Sequence, residues 1–375
     1  MFNILTLNKI SKLGLDKLDS AKYICADSIE APDAILVRSA SMHEMELDAN
    51  TVAIARAGAG VNNIPIPACS EKGVVVFNTP GANANAVKEL VLCALFLSSR
   101  KVGAAIDWAK TLKGEGEAVG KLVEKGKGAF AGPEILGKTL GVIGLGAIGA
   151  MVAEGAKALG MSVIGYDPFV SEKEGIEIAT DISEIYAKSD YISLHLPLND
   201  ATRGMINADT FASMKDGIRI LNFARGELVD SKALLAALES GKAAAYVTDF
   251  PNDEQLCVDG ITAIPHLGAS TPESEENCAM MAAEEVALYL EKGIIKNSVN
   301  LPNAALPETY ECRTCFIHKE DEAFGTKVSA EAIAQGAAIK NLFSASKKGM
   351  GYTVIDTDKA LDTSKIGGAI RIRTI

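Results

Sequence analysis

A glycine-rich loop followed by a lone acidic residue is the first feature of the sequence with chemical meaning. Gly144, Gly146 and Gly149 follow a short apolar run, an alanine-rich segment comes next, and Asp167 ends a second apolar run. A strand, a G-x-G-x-x-G turn and a helix in this order bind the pyrophosphate of a dinucleotide at the helix N-terminus. If the glycines are considered alone, the alternative to a dinucleotide-binding loop is a tight turn in an ordinary α/β protein. Because Asp167 would accept hydrogen bonds from a ribose diol and repel a 2′-phosphate, the sequence predicts NAD rather than NADP.

The cofactor is expected to contact this loop and the strand ends that follow it. The predicted cofactor-binding residues are Gly144, Gly146, Ala147, Ile148, Gly149, Asp167, His195, Pro197, Ala224, Asp249, His266 and Gly268. His195 lies in a Leu-His-Leu-Pro segment, and we expect it to line the cofactor crevice rather than to act as an acid.

Three further residues with catalytic chemistry come after predicted strands. Arg225 follows the apolar run 218–222, Glu254 follows a strand that ends at Asp249, and His266 follows another apolar run. The carboxyl ends of parallel strands line the ligand crevice of a doubly wound sheet, so the three side chains are expected to face one cleft. Each residue also has a structural alternative: Arg225 could be a surface arginine, Glu254 a solvated loop acid, and His266 a cap of the next helix.

Taken in chain order, these motifs resemble those of the D-isomer-specific 2-hydroxyacid dehydrogenases. The resemblance extends through about residue 303 and includes two segments of the first hundred residues. The matching segments are the glycine loop with Asp167, Ala224–Glu227, Asp249–Glu254, Pro265–Thr271, Val37–Ala40 and Arg56–Ile64.

The resemblance implies a catalytic role for three of these residues. The planar fork of Arg225 would hold a substrate carboxylate through two parallel hydrogen bonds. His266 would take the hydroxyl proton as a hydride leaves for the nicotinamide. Glu254 would orient the imidazole and favour its charged form. The sequence departs from the family pattern after this acid, where Gln255 replaces the usual proline.

The resemblance also implies cations for a substrate phosphate. Arg38 and Arg56 end predicted strands of the first domain and are the expected phosphate ligands, although Arg38 could also be a strand-edge charge. Lys88 is a third candidate for a phosphate ligand. It is either a substrate-binding residue specific to a subfamily or a surface lysine. The full set of expected substrate-binding residues is Arg38, Ser39, Arg56, Ala57, Gly58, Lys88 and Arg225.

These cations favour a phosphorylated substrate. The expected reaction is the NAD-dependent oxidation of 3-phospho-D-glycerate to 3-phosphohydroxypyruvate, the entry to serine biosynthesis. One alternative is another D-2-hydroxyacid dehydrogenase, acting on glycerate or hydroxypyruvate, lactate, or erythronate 4-phosphate. The other alternative is an NAD-sensing co-regulator on the same scaffold.

The elements that must position these residues alternate between strands and helices, which predicts parallel α/β sheets. We expect an α/β fold with two doubly wound parallel-sheet domains and a small α+β domain. The predicted parts are a flavodoxin-like substrate domain (1–100 and 284–301), a Rossmann NAD domain (101–283), a linker (302–310) and an ACT-like regulatory or assembly domain (311–375).

The terminal region resembles ACT regulatory domains, with departures where serine-inhibited relatives bind their effector. Glu320 and Ala338 stand where asparagines are expected, and the second helix looks shortened near residues 362–366. The sequence therefore predicts that this region mainly assembles subunits and that inhibition by serine is weak or absent.

Composition limits the remaining possibilities. The chain has 375 residues, 48% of them hydrophobic, and a net charge of −11, which argues against nucleic-acid binding. Neither a leader peptide nor a membrane-spanning run is recognisable. Seven scattered cysteines suit a reducing cytoplasm, and the C-x-x-C of Cys312 and Cys315 lies in a predicted strand, so no metal site is expected. The family resemblance implies a homodimer or homotetramer.

Overall fold

Two parallel sheets and one antiparallel sheet contain the sixteen strands of the chain. The computed structural model describes residues 1–375. It divides into one unit of Met1–Asn83 with Pro272–Ile375, and a second unit of Ala84–Thr271. Each unit has its own apolar cores. The expected α/β class with an additional small α+β part is confirmed.

The first unit begins with a five-stranded parallel sheet in the order β2-β1-β3-β4-β5, which is the flavodoxin-like order. Its N-terminal elements are β1 (Phe2–Leu7), α1 (Lys12–Leu15), β2 (Tyr23–Ala26), β3 (Ala34–Val37), β4 (Ala53–Arg56), α2 (Ile66–Glu71) and β5 (Val75–Asn78). Successive residues of β3 point to opposite faces, so Leu36 and Val37 enter two different cores. The strands read as continuous apolar runs because both faces are covered.

The second unit contains a seven-stranded parallel sheet. Its helices are α3 (Ala84–Ser99), α4 (Val102–Lys110), α5 (Val119–Gly126), α6 (Ala147–Ala158), α7 (Ile182–Lys188), α8 (Ala208–Ser213) and α9 (Ser231–Glu239). Its strands are β6 (Thr139–Ile143), β7 (Ser162–Tyr166), β8 (Glu177–Ile178), β9 (Tyr191–Leu194), β10 (Ile218–Asn222), β11 (Ala243–Thr248) and β12 (Ile261–Ala263). The order β12-β11-β10-β9-β6-β7-β8 places the strand-order reversal at β6, where doubly wound sheets bind ligands.

The C-terminal part of the first unit adds a long helix and a four-stranded antiparallel sheet in the order β14-β15-β13-β16. Its elements are α10 (Pro272–Lys292), β13 (Cys312–Lys319), α11 (Phe324–Ala334), β14 (Ile339–Lys347), β15 (Met350–Thr357) and β16 (Ala369–Thr374). Between β15 and β16 there is only a short 3-10 turn, Thr363–Lys365, so the expected shortening of the second helix is confirmed.

This terminal sheet shares a core with the first sheet instead of standing apart from it. Cys315 and Ile317 of β13 join the core that α10 forms with the five-stranded sheet, whereas Phe316 between them packs under α11. Arg373 donates to the carbonyls of Tyr289 (3.1 Å) and Leu290 (2.9 Å) near the end of α10. The guanidinium thereby adds donors to carbonyls in the last turn of the helix, of which that of Tyr289 also accepts from the N–H of Gly293 (2.9 Å).

The unit boundaries differ from those expected near residues 100 and 283. Helix α3 packs through Val91 and Leu95 against the core beside β6, so it belongs with the second unit. Helix α10 packs from Cys278 onward into the core of the first unit. The residue pattern shows that both helices are amphipathic, but it does not show which sheet receives their apolar sides. The division into a substrate domain, a cofactor domain and a terminal domain remains a prediction.

The structure also bears on the cysteines and on membrane insertion. All seven cysteines are free thiols, and Cys312 and Cys315 lie in β13 as expected. No group of three or more His, Cys, Asp or Glu side chains is placed to hold a metal ion. None of the helices combines the length and the apolar character needed to cross a bilayer.

Candidate active site

The glycine loop has the conformation that the sequence predicts. Gly144 follows β6 with φ +94°, a region that favours glycine, and a Cβ there would collide with the carbonyl of His195. A Cβ on Gly149 would collide with the carbonyl oxygen of Gly144, so the helix packs tightly on the turn. A Cβ on Gly146 would meet no atom within 4 Å. The loop is therefore closed towards the sheet and open at Gly146, where α6 begins.

This open side fits a dinucleotide. Helix α6 starts at Ala147 with no side chain capping its N-terminus, and Ile148 lies in the same first turn, so backbone N–H groups are left for an anion. The carboxylate of Asp167 accepts hydrogen bonds from the backbone N–H groups of Leu145 and Phe169, both at 2.9 Å. Each carboxylate oxygen retains a further lone pair for a ribose hydroxyl. Asp167 is thus held beside the loop, as its proposed role requires.

Arg225 is presented by a turn that the buried side chain of Asn222 organises. The Asn222 amide donates to the carbonyl of Arg225 (2.8 Å) and to the hydroxyl of Tyr246 (3.1 Å), and its oxygen accepts from the N–H of Ala224 (3.2 Å). Sequence inspection missed Asn222, because an asparagine that ends a strand also suits an ordinary turn. The guanidinium of Arg225 donates to the Ala224 carbonyl (2.6 Å) and is partly exposed.

Arg225 and His266 both lie close to the aromatic ring of Phe250. The Arg225 Cζ atom is 5.6 Å from the Phe250 ring centroid, and the His266 ring is 4.4 Å from it. The three residues follow β10, β11 and β12, which are adjacent in the sheet, so the expectation that Arg225 and His266 share one edge is confirmed. Phe250 was not predicted, and only its place after a strand could have drawn attention to it.

A buried carboxylate stands beside the same two cations. Asp249 is 2% exposed, and its Oδ2 accepts from the N–H of Gly268 (3.1 Å). Burial raises the pKa of the Asp249 carboxyl, while the Gly268 amide and the charges of His266 and Arg225 oppose that rise. Its Oδ1 has no protein partner. Asp249 and Gly268 therefore offer one unpaired acceptor at the edge of the site, as their predicted contact with a cofactor requires.

Glu254 is placed differently from the expectation. It lies in the 3-10 turn Asp253–Gln255, is exposed, and makes no hydrogen bond with His266. The neighbouring Gln255 is buried, and its amide nitrogen donates to Ser231 (3.1 Å), which anchors this turn. Catalytic hydrogen bonds are often long or absent before ligands bind. The orienting role of Glu254 remains a prediction.

His195 follows β9 and is neutral. Its Nε2 lies 2.8 Å from the hydroxyl of the buried Ser193, and burial lowers the pKa of His195 to about 4. Pro197 is exposed, and its carbonyl accepts from the Thr202 hydroxyl (2.8 Å). The His195 carbonyl lies against Gly144, so this residue adjoins the glycine loop. A neutral imidazole at His195 supports the prediction that this residue lines the cofactor crevice and does not act as a proton donor.

Arg38 and Arg56 lie together in the other unit, at the ends of β3 and β4. The Arg56 Nε donates to the Arg38 carbonyl (3.1 Å), and the Arg56 guanidinium lies so close over Gly58 that a Cβ there would overlap it. Arg38 donates from Nη2 to Glu275 (2.5 Å). Gly58 thus makes room for the Arg56 guanidinium, and the role of both arginines as phosphate ligands remains a prediction.

The remaining predicted substrate residues have ordinary surroundings. Ser39 is exposed and its N–H donates to the Asn8 side chain (3.1 Å), while Ala57 is buried. Lys88 belongs to α3 in the unit of Ala84–Thr271, and its Nζ lies 3.9 Å from Glu89. Their contact with a substrate remains a prediction.

A comparison with protein-family models decides the family. Residues 72–286 match the model of the D-isomer specific 2-hydroxyacid dehydrogenase, NAD binding domain, which is more than half of the chain. The chain belongs to the D-isomer specific 2-hydroxyacid dehydrogenases. Residues 72–286 accordingly form an NAD-binding domain of this family.

Relatives within this dehydrogenase family carry two different names. A D-3-phosphoglycerate dehydrogenase of Methanocaldococcus jannaschii is 38% identical over 290 residues, covering 74% of this chain and 53% of the relative. A hydroxypyruvate reductase of Thermotoga maritima is 39% identical over 274 residues, covering 70% of this chain and 85% of the relative. The chain therefore spans about half the length of the phosphoglycerate dehydrogenases that it matches.

Solved structures of the family share the fold. The NAD⁺-bound 3-phosphoglycerate dehydrogenase of Entamoeba histolytica is 27% identical, with a TM-score of 0.64 over 80% of this chain and 98% of that one. A glyoxylate reductase of Paecilomyes thermophila is also 27% identical, with a TM-score of 0.67 over 80% and 98%. The matched family model ends at residue 286, so the terminal sheet lies outside it.

Proposed function

We propose that this dehydrogenase oxidises 3-phospho-D-glycerate to 3-phosphohydroxypyruvate with NAD, as a step of serine biosynthesis. The observation that carries the proposal is that Arg225 and His266 both lie against the ring of Phe250, at the same edge of the sheet. An arginine fork and a nearby imidazole are what a 2-hydroxyacid needs, because its carboxylate must be held while its hydroxyl loses a proton.

The chain's own residues supply binding and proton transfer. Arg225 holds the substrate carboxylate, and His266 takes the hydroxyl proton as the C–H bond breaks and the carbonyl forms. NAD, when bound, supplies the acceptor for the departing hydride. The unpaired Oδ1 of Asp249 and the open loop at Gly146 are the groups proposed to hold it. Glu254 favours the charged form of His266 once its turn approaches the imidazole.

Arg38 and Arg56 are the proposed ligands of the substrate phosphate. Guanidinium groups from the ends of two adjacent strands suit a dianion, because each offers several N–H donors in a fixed geometry. The name of the Methanocaldococcus jannaschii relative supports this substrate. The name of the Thermotoga maritima relative favours a second candidate, the reduction of hydroxypyruvate or a related unphosphorylated acid.

The deciding experiment compares phosphorylated and unphosphorylated substrates. Initial rates of NADH formation are measured with 3-phospho-D-glycerate and with D-glycerate at fixed ionic strength. Each charge-assisted hydrogen bond contributes about 1.5–3 kcal/mol, so we expect kcat/KM to favour the phosphorylated acid by about 100-fold or more. Equal kcat/KM values for both acids would contradict a phosphate site and support the second candidate.

A His266→Ala variant separates the enzyme from an NAD-sensing protein. Loss of general acid–base catalysis costs about 10²–10⁴-fold in rate. We expect this variant to retain NAD binding, measured by quenching of Trp108 or by calorimetry, and to lose turnover within that range. Turnover at the parent rate would exclude His266 as the proton acceptor.

The terminal region 311–375 is proposed to assemble subunits, giving a homodimer or homotetramer, rather than to sense serine. The short 3-10 turn in place of a second helix supports this, since a helix that is missing cannot line an effector pocket. Light scattering of the full chain measures assembly. Strong inhibition of NADH formation by micromolar serine would contradict the proposal.

A further inference from the structure

One of the two proposed phosphate ligands is already paired with an acidic residue. The Arg38 Nη2 donates to the Glu275 carboxylate at 2.5 Å, and both residues belong to the same unit although they lie 237 positions apart. The side chains are 34% and 42% exposed, so the pair is accessible to solvent and to an anion. A substrate phosphate that binds Arg38 would therefore find one of the Arg38 N–H donors already bonded to the Glu275 carboxylate.

The backbone around Arg38 leaves only the side chain free to respond. The Arg38 carbonyl accepts from Arg56 (3.1 Å) and from the side chain of Asn63 (3.2 Å). The side-chain oxygen of Asn8 accepts from the next two N–H groups, at 3.1 and 2.7 Å. The start of this loop is therefore fixed, and the Arg38 guanidinium changes partner only by rotating about its own side-chain bonds.

Glu275 is held at the beginning of α10. This helix continues for 21 residues, and its far end is held by the arginines of the terminal sheet. Two other acids, Glu273 and Glu276, lie in the same two turns and form no ion pair. The ion pair with Arg38 is therefore specific to one of three acidic positions.

We propose that Glu275 is a specificity-determining residue that competes with the substrate phosphate for Arg38. The inference rests on the proposed function of Arg38 as a phosphate ligand. Binding of a phosphorylated acid requires that Arg38 leave Glu275 or share its donors between two anions. Glu275 thereby weakens the binding of phosphorylated acids and leaves the binding of unphosphorylated acids unaffected. The difference in affinity between the two classes of substrate becomes smaller as a result.

The test is a set of charge-neutral substitutions on α10. E275Q removes both the ion pair that competes for Arg38 and the repulsion between Glu275 and a phosphate dianion, so it should lower KM for 3-phospho-D-glycerate about 3–10-fold. KM for D-glycerate should stay within about twofold, and kcat should hardly change. The matched control is E273Q, which makes the same change of charge in the first turn of the same helix and should alter neither KM.

A double-mutant cycle identifies Arg38 as the target. In an R38Q background, E275Q should no longer change KM for 3-phospho-D-glycerate. An effect that persists without Arg38, an equal effect on both acids, or a rise in KM in E275Q would each overturn the proposal. A rise would mean that Glu275 orients Arg38 productively.

A binding measurement keeps this test separate from the proposed function. Inorganic phosphate is titrated into the wild type and into E275Q by calorimetry in a chloride buffer of constant ionic strength. Tighter phosphate binding in E275Q, lost again in R38Q/E275Q, supports the competition even if the wild type oxidises neither acid. Unchanged phosphate binding overturns it even if phosphoglycerate is oxidised.

Discussion

Replacement of Asn222 by alanine should reduce both stability and catalysis, because one buried side chain holds the turn that presents Arg225. Asn222 is 0% exposed and forms three hydrogen bonds, two of them to the backbone of that turn. Alanine removes all three. The buried Ala224 N–H then loses its partner, whereas the Arg225 carbonyl keeps only the N–H of Leu228 (3.3 Å).

The magnitude follows from the groups left unpaired. The buried Ala224 N–H without a partner costs about 1–3 kcal/mol, and each of the other two lost hydrogen bonds costs about 0.5–1.5 kcal/mol. We therefore expect a loss of about 2–6 kcal/mol in the free energy of unfolding. The catalytic effect comes from the position of Arg225. A displacement of about 1 Å at a positioning group costs up to about 100-fold, so we expect kcat/KM of N222A to fall about 10–100-fold.

The matched control is Tyr246→Phe. It removes the hydrogen bond from Asn222 to Tyr246 but leaves both bonds to the turn. We expect a loss of about 1 kcal/mol and kcat/KM within about twofold of the wild type. Unfolding in urea followed by circular dichroism gives the stability of each variant, and NADH formation gives kcat/KM for fractions that are confirmed to be folded.

One result would refute the reasoning directly. If N222A loses several kcal/mol yet retains the parent kcat/KM, the turn holds Arg225 without the asparagine amide. If Y246F loses as much activity as N222A, the effect comes from general loosening of the strand ends and not from the turn. Only a fall in activity confined to N222A supports the role of Asn222.

Three further predictions concern other parts of the chain. Asp167→Asn should lower the ratio of kcat/KM for NAD to that for NADP about 10-fold or more, because the charge that repels a 2′-phosphate is lost, and an unchanged ratio would refute this role. Burial raises the pKa of Glu285 to about 8, so its protonated form stabilises the fold at acidic pH and this stability declines as pH rises from about 4.5 to 8. Glu285→Gln keeps the oxygen that accepts from the Asn297 amide (2.7 Å) but removes the buried charge, so it should raise Tm at pH 8.5 but not at pH 4.5. Parallel profiles of Tm against pH for the variant and the wild type would contradict the raised pKa of Glu285. Arg373→Met should lower Tm by several degrees without changing KM for NAD, because two carbonyls near the end of α10 and the ring of Tyr289 (4.5 Å) lose their cation.

Much of the fold could be predicted because its determinants are local. The glycine loop follows from three glycines between an apolar run and an alanine-rich segment, and each glycine has the surroundings that its position requires. The order of Arg225 and His266 after strands predicted that they would share one sheet edge, since parallel strands end on the same side. The shortened element before β16 was also expected, because residues 362–366 depart from the pattern of ACT domains.

Other expectations failed or stayed open because they depend on side-chain direction. Glu254 has the right place in the sequence, yet its turn is anchored through Gln255 and leaves it exposed. The C-terminal region was expected to follow a linker as a separate domain, but the alternate residues of β13 put one face of its sheet into the core of the first unit.

The sequence by itself determined the parallel α/β class, the dinucleotide loop and the residue types of a hydride-transfer site, because strands, turns and glycine positions are set by neighbours along the chain. Only the tertiary structure decided that Arg225 and His266 both lie against Phe250, and that Arg38 is paired with Glu275. These contacts join elements that are distant in sequence, and they depend on which way each side chain turns once the helices pack on their sheets.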